Sequence, residues 1–402
     1  MKNKISIKIL VVLVLVVFAF VNGCTSYNEP PVINSPNQQY TNSPVITSVS
    51  PANEAAAGVR EIVINGDNFA VNGVDTNWVF IGGTSAMIKS ITANKIVVYR
   101  PPTSGEVNIS VVIPNALNVA KVNNYQIEEP VESWGDFSYQ NYDLTAIEVD
   151  NNENLFVATR REIWKLAPDG IELTQIVRLG SAFATITDMK FGPDGYLYVA
   201  IGRRELYKID PITGADQEFI SMPKNTEKLD FDANKNIYTV RKDGIYVINT
   251  DNNVVFTNLY VGESILELRV INGYVYVCSS DFVYRNKILD NNGTLGETET
   301  VLDLKSVQGF SNCDISSFSF DVNGVIYLCI KNNPNYSVFV LEGDGSVTPY
   351  YKADILPHSV DQLIWGSSRY LYLNRGITLS RDSVRVYRMG MATNGAHFYG
   401  RQ

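Results

Sequence analysis

The chain has 402 residues and a net charge of −9, with 45% hydrophobic and 19% charged residues. This length favours two or three domains, and the composition excludes disorder over most of the chain. The acidic balance excludes a general nucleic-acid-binding protein, because neutralising phosphates needs a basic surface. The 23 tyrosines and 17 phenylalanines favour strands. The chain has only two histidines, which disfavours histidine-based metal sites or catalysis.

The first 23 residues have the pattern of an export signal. Three lysines precede thirteen consecutive apolar residues, 9–21, which as a helix would span about 20 Å and fall short of a ~30 Å bilayer core. The segment Val21-Asn22-Gly23-Cys24 resembles the lipobox of bacterial lipoproteins, which implies cleavage after residue 23 and lipidation of Cys24. The alternative is a plain secretion signal followed by an incidental cysteine.

Cleavage after residue 23 would leave 30 basic and 42 acidic residues, a net charge of −12. Three thiols would remain besides the acylated Cys24, and an odd number excludes a disulfide framework. Residues 24–43 are rich in Asn, Pro and Ser and poor in aliphatic residues. This composition predicts a flexible tether that holds the folded part off a membrane.

Residues 44–130 are predicted to form an immunoglobulin-like sandwich. Short β-type runs, several with period-two alternation, are separated there by turn residues. The five clear runs are 45–49, 61–64, 78–81, 95–99 and 107–112. The motifs PVITSVSP (44–51), INGDNF (64–69), VFIGG (79–83) and VVYRPP (97–102) resemble the IPT/TIG family, which implies a spacer or interaction module.

Residues 133–402 contain an internal repeat. Each unit has an inner strand, an Asp/Asn/Gly turn, an apolar-aromatic-apolar strand and two further strands. The central aromatics are 38 to 51 residues apart: Phe156, Tyr198, Tyr238, Tyr276, Tyr327 and Tyr372. Such a period with four strands per unit is typical of a propeller. The chain is therefore predicted to be all-β, with a six-bladed β-propeller after the sandwich.

The repeat resembles the NHL and SMP-30-like propellers, most clearly in FGPDGYLYVA (191–200). Cys278 and Cys329 occupy the slot that Ala158 and Ala200 fill in other units, which predicts inert thiols packed between blades. Among the tryptophans, core packing is expected for Trp78, Trp164 and Trp365. Trp134, at the domain junction, is predicted to be exposed and is the candidate for stacking on a sugar.

Basic residues concentrate in the loops between the second and third strands of the units. An arginine fork suits carboxylate, sulfate or phosphate and stacks on sugar rings, so these loops predict an anion-preferring binding face. The alternative is that they are ordinary polar hairpins, neutralised by Glu162, Glu205 and Asp243. The predicted ligand-binding residues are Arg160, Arg161, Arg203, Arg204, Arg241, Lys242, Arg375 and Trp134.

No catalytic motif is found in the sequence, and no catalytic, metal-binding or cofactor-binding residue is assigned. The SMP-30-like resemblance implies that an enzyme of this kind would hold a divalent cation through Glu, Asn and Asp at the channel mouth. Glu148, Asn272 and Asp361 are available, but they do not occupy equivalent strand positions. A calcium-dependent lactonase or hydrolase therefore remains a hypothesis for the function, ranked third, after the two binding functions described next.

The order of anchor, tether, sandwich and propeller resembles surface lipoproteins of Bacteroidota, in which IPT/TIG modules precede variable domains of glycan-uptake systems. The resemblance implies a protein lipid-anchored in the outer membrane at the cell surface. Its partner would be a polysaccharide or oligosaccharide, either neutral or acidic. The protein would pass this ligand to an outer-membrane importer complex. The second hypothesis is a scaffold or adhesion lipoprotein that binds another protein through the propeller.

Overall fold

The computed structural model describes residues 40–70, 77–137, 144–180, 185–241, 244–352, 355–356, 360–375 and 386–401. The leader, Cys24, most of the tether and Lys242 lie outside the described residues. Among the residues described, none belongs to a helix with the length and apolar character that crossing a bilayer requires. The fold is all-β, apart from a short 3-10 helix at Leu304–Ser306.

The immunoglobulin-like sandwich is confirmed. Its strands are β1 Val45–Ser50, β2 Glu54–Ala55, β3 Glu61–Asp67, β4 Trp78–Ile81, β5 Thr84–Ala86, β6 Ile88–Thr92, β7 Lys95–Tyr99, β8 Gly105–Val112 and β9 Ala120–Ile127. They form two sheets, β1-β3-β7-β6 and β2-β9-β8-β4-β5. Alternation buries one face of each sheet, with Ile62, Ile64, Ile109 and Val111 fully buried between them.

Five four-stranded antiparallel sheets follow in chain order. Blade one contains β11 Leu144–Val149, β12 Leu155–Thr159, β13 Glu162–Leu166 and β14 Leu173–Arg178; blade two contains β15 Asp188–Phe191, β16 Leu197–Ala200, β17 Glu205–Ile209 and β18 Asp216–Ser221; blade three contains β19 Lys228–Phe231, β20 Ile237–Arg241, β21 Gly244–Ile248 and β22 Val254–Phe256; blade four contains β23 Glu267–Ile271, β24 Tyr274–Cys278, β25 Phe282–Ile288 and β26 Leu295–Asp303; blade five contains β27 Asp314–Phe320, β28 Ile326–Lys331, β29 Val338–Leu341 and β30 Val347–Pro349.

The sixth blade is completed by a strand from before the first blade. It contains β31 Gln362–Trp365, β32 Tyr370–Asn374 and β33 Val386–Gly390, and its outer strand is β10 Val131–Trp134. Trp134 pairs with Val386 and Val131 pairs with Met389. The repeat pattern predicts a fourth strand of its own for each blade, and this was wrong for the last blade. The first strands of the six blades contact one another in a closed ring.

The recurring aromatic of the second strand is fixed at its polar end. The hydroxyl of Tyr238 donates to Asp232 over 3.0 Å, and that of Tyr198 donates to Asp194 over the same distance. In each pair the carboxylate lies in the turn that precedes the aromatic strand. The ring therefore stays in the apolar core while its hydroxyl is satisfied by a turn residue, which explains why aromatic and turn recur together.

The thiols behave as the repeat predicts. Cys278 and Cys329 are completely buried and form no disulfide, and Cys313 is a third buried free thiol. Of the tryptophans, Trp365 is fully buried as expected. Trp78 was expected to pack inside the sandwich, and this was wrong, because as the first residue of β4 it faces outward and is 48% exposed.

The sandwich contacts blades five and six directly. The Arg60 guanidinium donates from Nε to the carbonyl oxygen of Tyr350 over 2.9 Å, and the Gly58 amide donates to the Tyr351 hydroxyl over 3.0 Å. Gly58 has φ 93°, and a Cβ at this position would come within 2.2 Å of the backbone nitrogen of Ala392. The two domains therefore touch through backbone, which leaves no room for a side chain at this position.

We expect Gly58→Ala to separate the sandwich from the propeller. The variant adds a backbone clash to the cost of a left-handed alanine, which is about 1–2 kcal/mol. Gly105→Ala is the matched control, because Gly105 has φ 87° and a Cβ added there would meet no atom within 4 Å. Urea unfolding should show two transitions for Gly58→Ala and one for the control. Superimposable unfolding curves would contradict a docked interface.

Candidate functional site

Two layers of side chains from the inner strands line the axis of the propeller. Residues two apart in a strand share a face, so each inner strand contributes one residue to each layer. The upper layer, nearer the strand starts, contains Ala146, Asp188, Lys228, Glu267, Ser317 and Gln362. The lower layer contains Glu148, Lys190, Asp230, Arg269, Ser319 and Ile364.

The charges in these layers form buried ion pairs. Lys190 Nζ lies 2.7 Å from Asp188 Oδ1 and 4.0 Å from Glu148 Oε2. Arg269 Nε lies 3.3 Å from Asp230 Oδ2. All five side chains are at least 97% buried, and burial of a charge is tolerated when it is paired and hydrogen-bonded. Most of the side chains along the axis are therefore charged or polar, and Ala146 and Ile364 are the apolar members of the two layers.

Two of the carboxylates also join neighbouring blades. Asp188 accepts a hydrogen bond from the Leu229 amide over 3.0 Å, and Asp230 accepts one from the Val270 amide over 2.9 Å. Burial raises the pKa of Asp230 above its ordinary value, although Arg269 opposes the shift. Burial acts in the same direction on Asp188, but Lys190 and Lys228 outweigh it and the pKa of Asp188 is lowered.

The C-terminal segment, 396–401, covers one end of the axis. Arg401 donates from Nε to Glu148 Oε1 over 2.7 Å, and Phe398 lies under Arg269 with 3.6 Å between the ring centroid and Cζ. At Gly400 a Cβ would meet the carbonyl oxygen of Phe191 at 1.8 Å, so the segment fits closely. This is the end that carries the Asp/Asn/Gly turns. The axis therefore opens toward the other end.

A cavity of about 320 Å³ lies at that open end, and we call it the channel mouth. Residues from all six blades line it: Leu144, Thr145, Thr185, Ile186, Thr187, Lys228, Glu267, Ser316, Asp361, Gln362 and Asn374. Ligand pockets usually measure about 300–1,000 Å³. The channel mouth therefore has room for a small ligand or for the end of a longer chain.

The channel mouth combines a largely apolar wall with side chains that carry hydroxyl, amide and charged groups. Ser316 Oγ is buried and has no hydrogen-bond partner among the described residues, so its hydrogen-bonding capacity is unused. Burial lowers the pKa of Lys228, but Glu267 and Asp188 outweigh this effect and the net shift is upward. The Lys228 side chain is therefore an ammonium donor at neutral pH and not a proton acceptor.

The three residues considered for a lactonase-type cation are not brought together. Glu148 lies in the lower layer and pairs with Arg401, whereas Asp361 lies at the channel mouth and pairs with Lys331. Asn272 lies in the turn between β23 and β24, at the opposite end of the axis. Within the described ranges, no group of three or more His, Cys, Asp and Glu side chains is arranged to hold a metal ion.

The predicted arginines lie at the same end as the channel mouth, but none of those described is among its lining residues. Arg161 Nη1 donates to the carbonyl of Gly180 over 3.2 Å, and Arg204 Nε donates to that of Met222 over 2.7 Å. Both side chains therefore lie along the connections between blades. Arg160 and Arg203 are exposed. These residues form a rim around the cavity rather than its wall.

The two remaining described cations of this set are engaged by neighbours. Arg241 Nε lies 3.4 Å from Glu227 Oε1. The Arg375 guanidinium lies 6.0 Å from the ring centroid of Tyr387. Among the described residues, the acidic partner of Arg241 is Glu227 on an inter-blade connection, whereas Asp243 lies outside them. Sequence adjacency did not reveal this pair, because the two residues belong to different loops.

The expectation that Trp134 is exposed was wrong. Its side chain is 6% exposed, because Trp134 ends the outer strand of blade six instead of lying in a junction loop. The Arg388 guanidinium covers the ring at 3.2 Å from its centroid, and a Cβ at Gly170 would lie 3.1 Å from the ring. The indole is thus held between blades six and one and offers no free face to a sugar.

The sequence pattern did contain a signal for the residues at the axis. Charged residues flank a single apolar residue in three inner strands, at Asp188 and Lys190, at Lys228 and Asp230, and at Glu267 and Arg269. Lys228 is the first residue of β19 and therefore belongs to an inner strand rather than to a connection between blades. Two charges on one face of a buried strand indicate a polar axis, since a lipophilic core would exclude them.

Comparisons with known proteins agree with this architecture. Residues 44–128 match the IPT/TIG domain family. No curated protein matches the chain at a significant level. A solved auxiliary nutrient binding protein from Bacteroides thetaiotaomicron is 12% identical with a TM-score of 0.52, and the match covers 89% of this chain and 98% of that chain. Another from Bacteroides ovatus is 15% identical with a TM-score of 0.51, covering 88% and 99%.

A solved luciferin-regenerating enzyme is 12% identical to this chain, with a TM-score of 0.51. The match covers 67% of this chain and 98% of that chain, whereas the two Bacteroides proteins match most of this chain. At these identities the similarity shows the fold alone. A propeller of this kind is found in both binding proteins and enzymes.

We expect Arg401→Ala to destabilise the propeller by about 3–5 kcal/mol, because it removes one partner of a buried ion pair and leaves Glu148 poorly compensated. The matched control is Arg285→Ala, whose partner Glu299 is half exposed, and which should cost about 0–1 kcal/mol. The free energy of unfolding in urea measures both. Equal losses in the two variants would show that the C-terminal contact is not needed to balance the axis.

Proposed function

We propose that this protein is a glycan-binding lipoprotein at the cell surface, anchored in the outer membrane through Cys24. In this proposal it belongs to a polysaccharide-uptake system and passes its ligand to an outer-membrane importer complex. The observation that carries the proposal is the channel mouth, a cavity at the end of the axis that the C-terminal segment leaves open, whose largely apolar wall also includes hydroxyl and amide side chains.

The chemistry of the cavity suits a sugar. Each sugar hydroxyl both donates and accepts hydrogen bonds, and the side chains of Thr145, Ser316 and Gln362 offer the same double capacity. Leu144 and Ile186 supply apolar surface for the C–H face of a sugar ring. The cavity volume of about 320 Å³ favours recognition of a chain end or a short oligosaccharide over the middle of a polymer.

Two further observations support a binding role. The two Bacteroides structures described as auxiliary nutrient binding proteins cover both domains of this chain, and not the propeller alone. The Lys228 ammonium, held between Glu267 and Asp188, suits contact with a ligand better than proton abstraction. Binding without catalysis is therefore the function that we propose, ahead of a lactonase-type activity.

The rim arginines favour an acidic glycan among possible ligands. Arg160 and Arg203 are exposed at the same end as the channel mouth, so a chain whose end enters the cavity would pass over them. Exposed guanidinium groups form charge-assisted hydrogen bonds with carboxylates and sulfates. The cavity and the rim are separate contacts, and each can be tested by itself.

Ser316→Ala should weaken glycan binding roughly two- to tenfold, because one hydrogen bond contributes about 0.5–1.5 kcal/mol. Ser319→Ala is the matched control, since Ser319 Oγ is also buried without a described partner but lies below the cavity. Affinity electrophoresis and calorimetry with neutral and acidic oligosaccharides measure both variants. Absence of binding to every glycan would overturn the proposal, and equal weakening by both variants would remove the cavity from it.

Reversing the charges of Arg160, Arg161, Arg203 and Arg204 to glutamate should abolish binding of an acidic glycan and spare a neutral one, because the rim would then repel carboxylates. The matched control reverses four exposed lysines elsewhere: Lys95, Lys121, Lys235 and Lys287. It changes the net charge equally without altering the rim. Unchanged affinity for the acidic glycan in the arginine variant would show that the rim does not contact the ligand.

A further inference from the structure

Exposed apolar side chains concentrate at one end of the sandwich. Among the fourteen large hydrophobic residues that are exposed in the described chain, five lie at this end. They are Tyr40 at 38% exposure, Val45 at 46%, Trp78 at 48%, Leu117 at 65% and Val119 at 43%. We call this group the tether-end surface. Single exposed apolar residues need no explanation, but such a concentration does.

Backbone contacts place these residues at the same end. The Thr41 amide donates to the carbonyl of Asn115 over 3.0 Å, and the Asn118 amide donates to Ser43 Oγ over 3.1 Å. These bonds hold 40–45 against the loop that carries Leu117 and Val119. Trp78 pairs with Val112, the last residue of β8, which leads into that loop. The five side chains therefore surround the point where the chain enters the sandwich.

The tether-end surface is remote from the propeller. β9 begins beside it at Ala120 and runs for eight residues to Ile127, a distance of about 25 Å at 3.3 Å per residue. The contacts with blades five and six, through Gly58 and Arg60, lie at the far end of the sandwich. The propeller therefore does not cover these apolar side chains.

The length of chain before the sandwich indicates what covers them. Fifteen residues lie between Cys24 and Tyr40. If they form the tether that their composition predicts, a segment of this length would have a root-mean-square span of about 20–25 Å. A lipid on Cys24 would keep the tether-end surface within that distance of the bilayer. Because the anchor keeps the bilayer at a high effective concentration near this surface, even a modest affinity for lipid is sufficient for docking.

We propose that the tether-end surface docks onto the lipid bilayer to which the chain is anchored. The proposal goes beyond glycan binding and rests on the lipidation proposed above. Tryptophan and tyrosine favour the membrane interface, and the aliphatic side chains gain free energy on leaving water. Lys95 and Lys121 are exposed at the same end and attract anionic headgroups, with Asp67 as a nearby opposing charge.

The test uses the chain from residue 24 onward, coupled through the Cys24 thiol to a maleimide lipid. The three other thiols are buried, so coupling is selective. The vesicles contain phosphatidylethanolamine and phosphatidylglycerol with brominated acyl chains, which quench tryptophan fluorescence on contact. We expect quenching in the parent chain and its loss in Trp78→Phe. Trp134 and Trp365 are buried, and the partly exposed Trp164 belongs to blade one of the propeller, away from the tether-end surface.

Leu117→Ser with Val119→Ser should also reduce the quenching, since these changes remove apolar surface without touching a tryptophan. The matched control is Ile171→Ser with Ile212→Ser, which removes exposed aliphatic residues from the propeller and should leave the quenching intact. An anchored parent chain that shows no quenching would overturn the proposal. Equal effects of the two double variants would overturn it as well.

A second copy of the chain is the competing occupant of the surface. A dimer that forms with rising concentration in solution and is abolished by Leu117→Ser would assign the surface to self-association and contradict membrane docking. Glycan affinity of the same variants separates this proposal from the preceding one. Quenching without glycan binding would refute the proposed ligand alone, and glycan binding without quenching would refute membrane docking alone.

Discussion

The buried ion pairs along the propeller axis determine how the inner strands of the six blades are arranged. The two layers contain four carboxylates, Glu148, Asp188, Asp230 and Glu267, and three cations of their own, Lys190, Lys228 and Arg269. Arg401 brings the number of cations to four, so the C-terminal segment completes the electrical balance of the axis. Ion pairs of this kind add little net stability over apolar packing, but an unpaired member is costly. They therefore favour a single arrangement of the inner strands, on whose starts the channel mouth is built.

The sequence was sufficient for the architecture because the signals for it are local. Period-two alternation identified five of the nine sandwich strands, and the recurring aromatic with its preceding turn identified six blades. Cys278 and Cys329 stand at the repeat position that holds alanine in other blades, and this correspondence correctly predicted that they are buried. These features depend on residues close together in the chain. Blade number and fold class followed from them directly.

The candidate site was harder to predict from the sequence, because it depends on contacts between segments that are distant in the chain. The arginines were found by counting charges in loops, but partners such as Gly180 and Met222 direct two of their side chains away from the axis. Trp134 was misjudged because nothing local shows that it pairs with Val386, some 250 residues later. The cavity itself combines one to three residues from each of six blades, and no single motif encodes such a ring.

The strand exchange that completes blade six has a consequence for the order of events during biogenesis. β10 leaves the ribosome directly after the sandwich, but its partner β33 follows only some 250 residues later. The sandwich can fold as soon as it emerges, whereas the ring has to wait for its final segment before it can close. Contacts this far apart in sequence form slowly. Until then β10 lacks its partner strand, and an unpaired strand is the kind of surface on which aggregation begins.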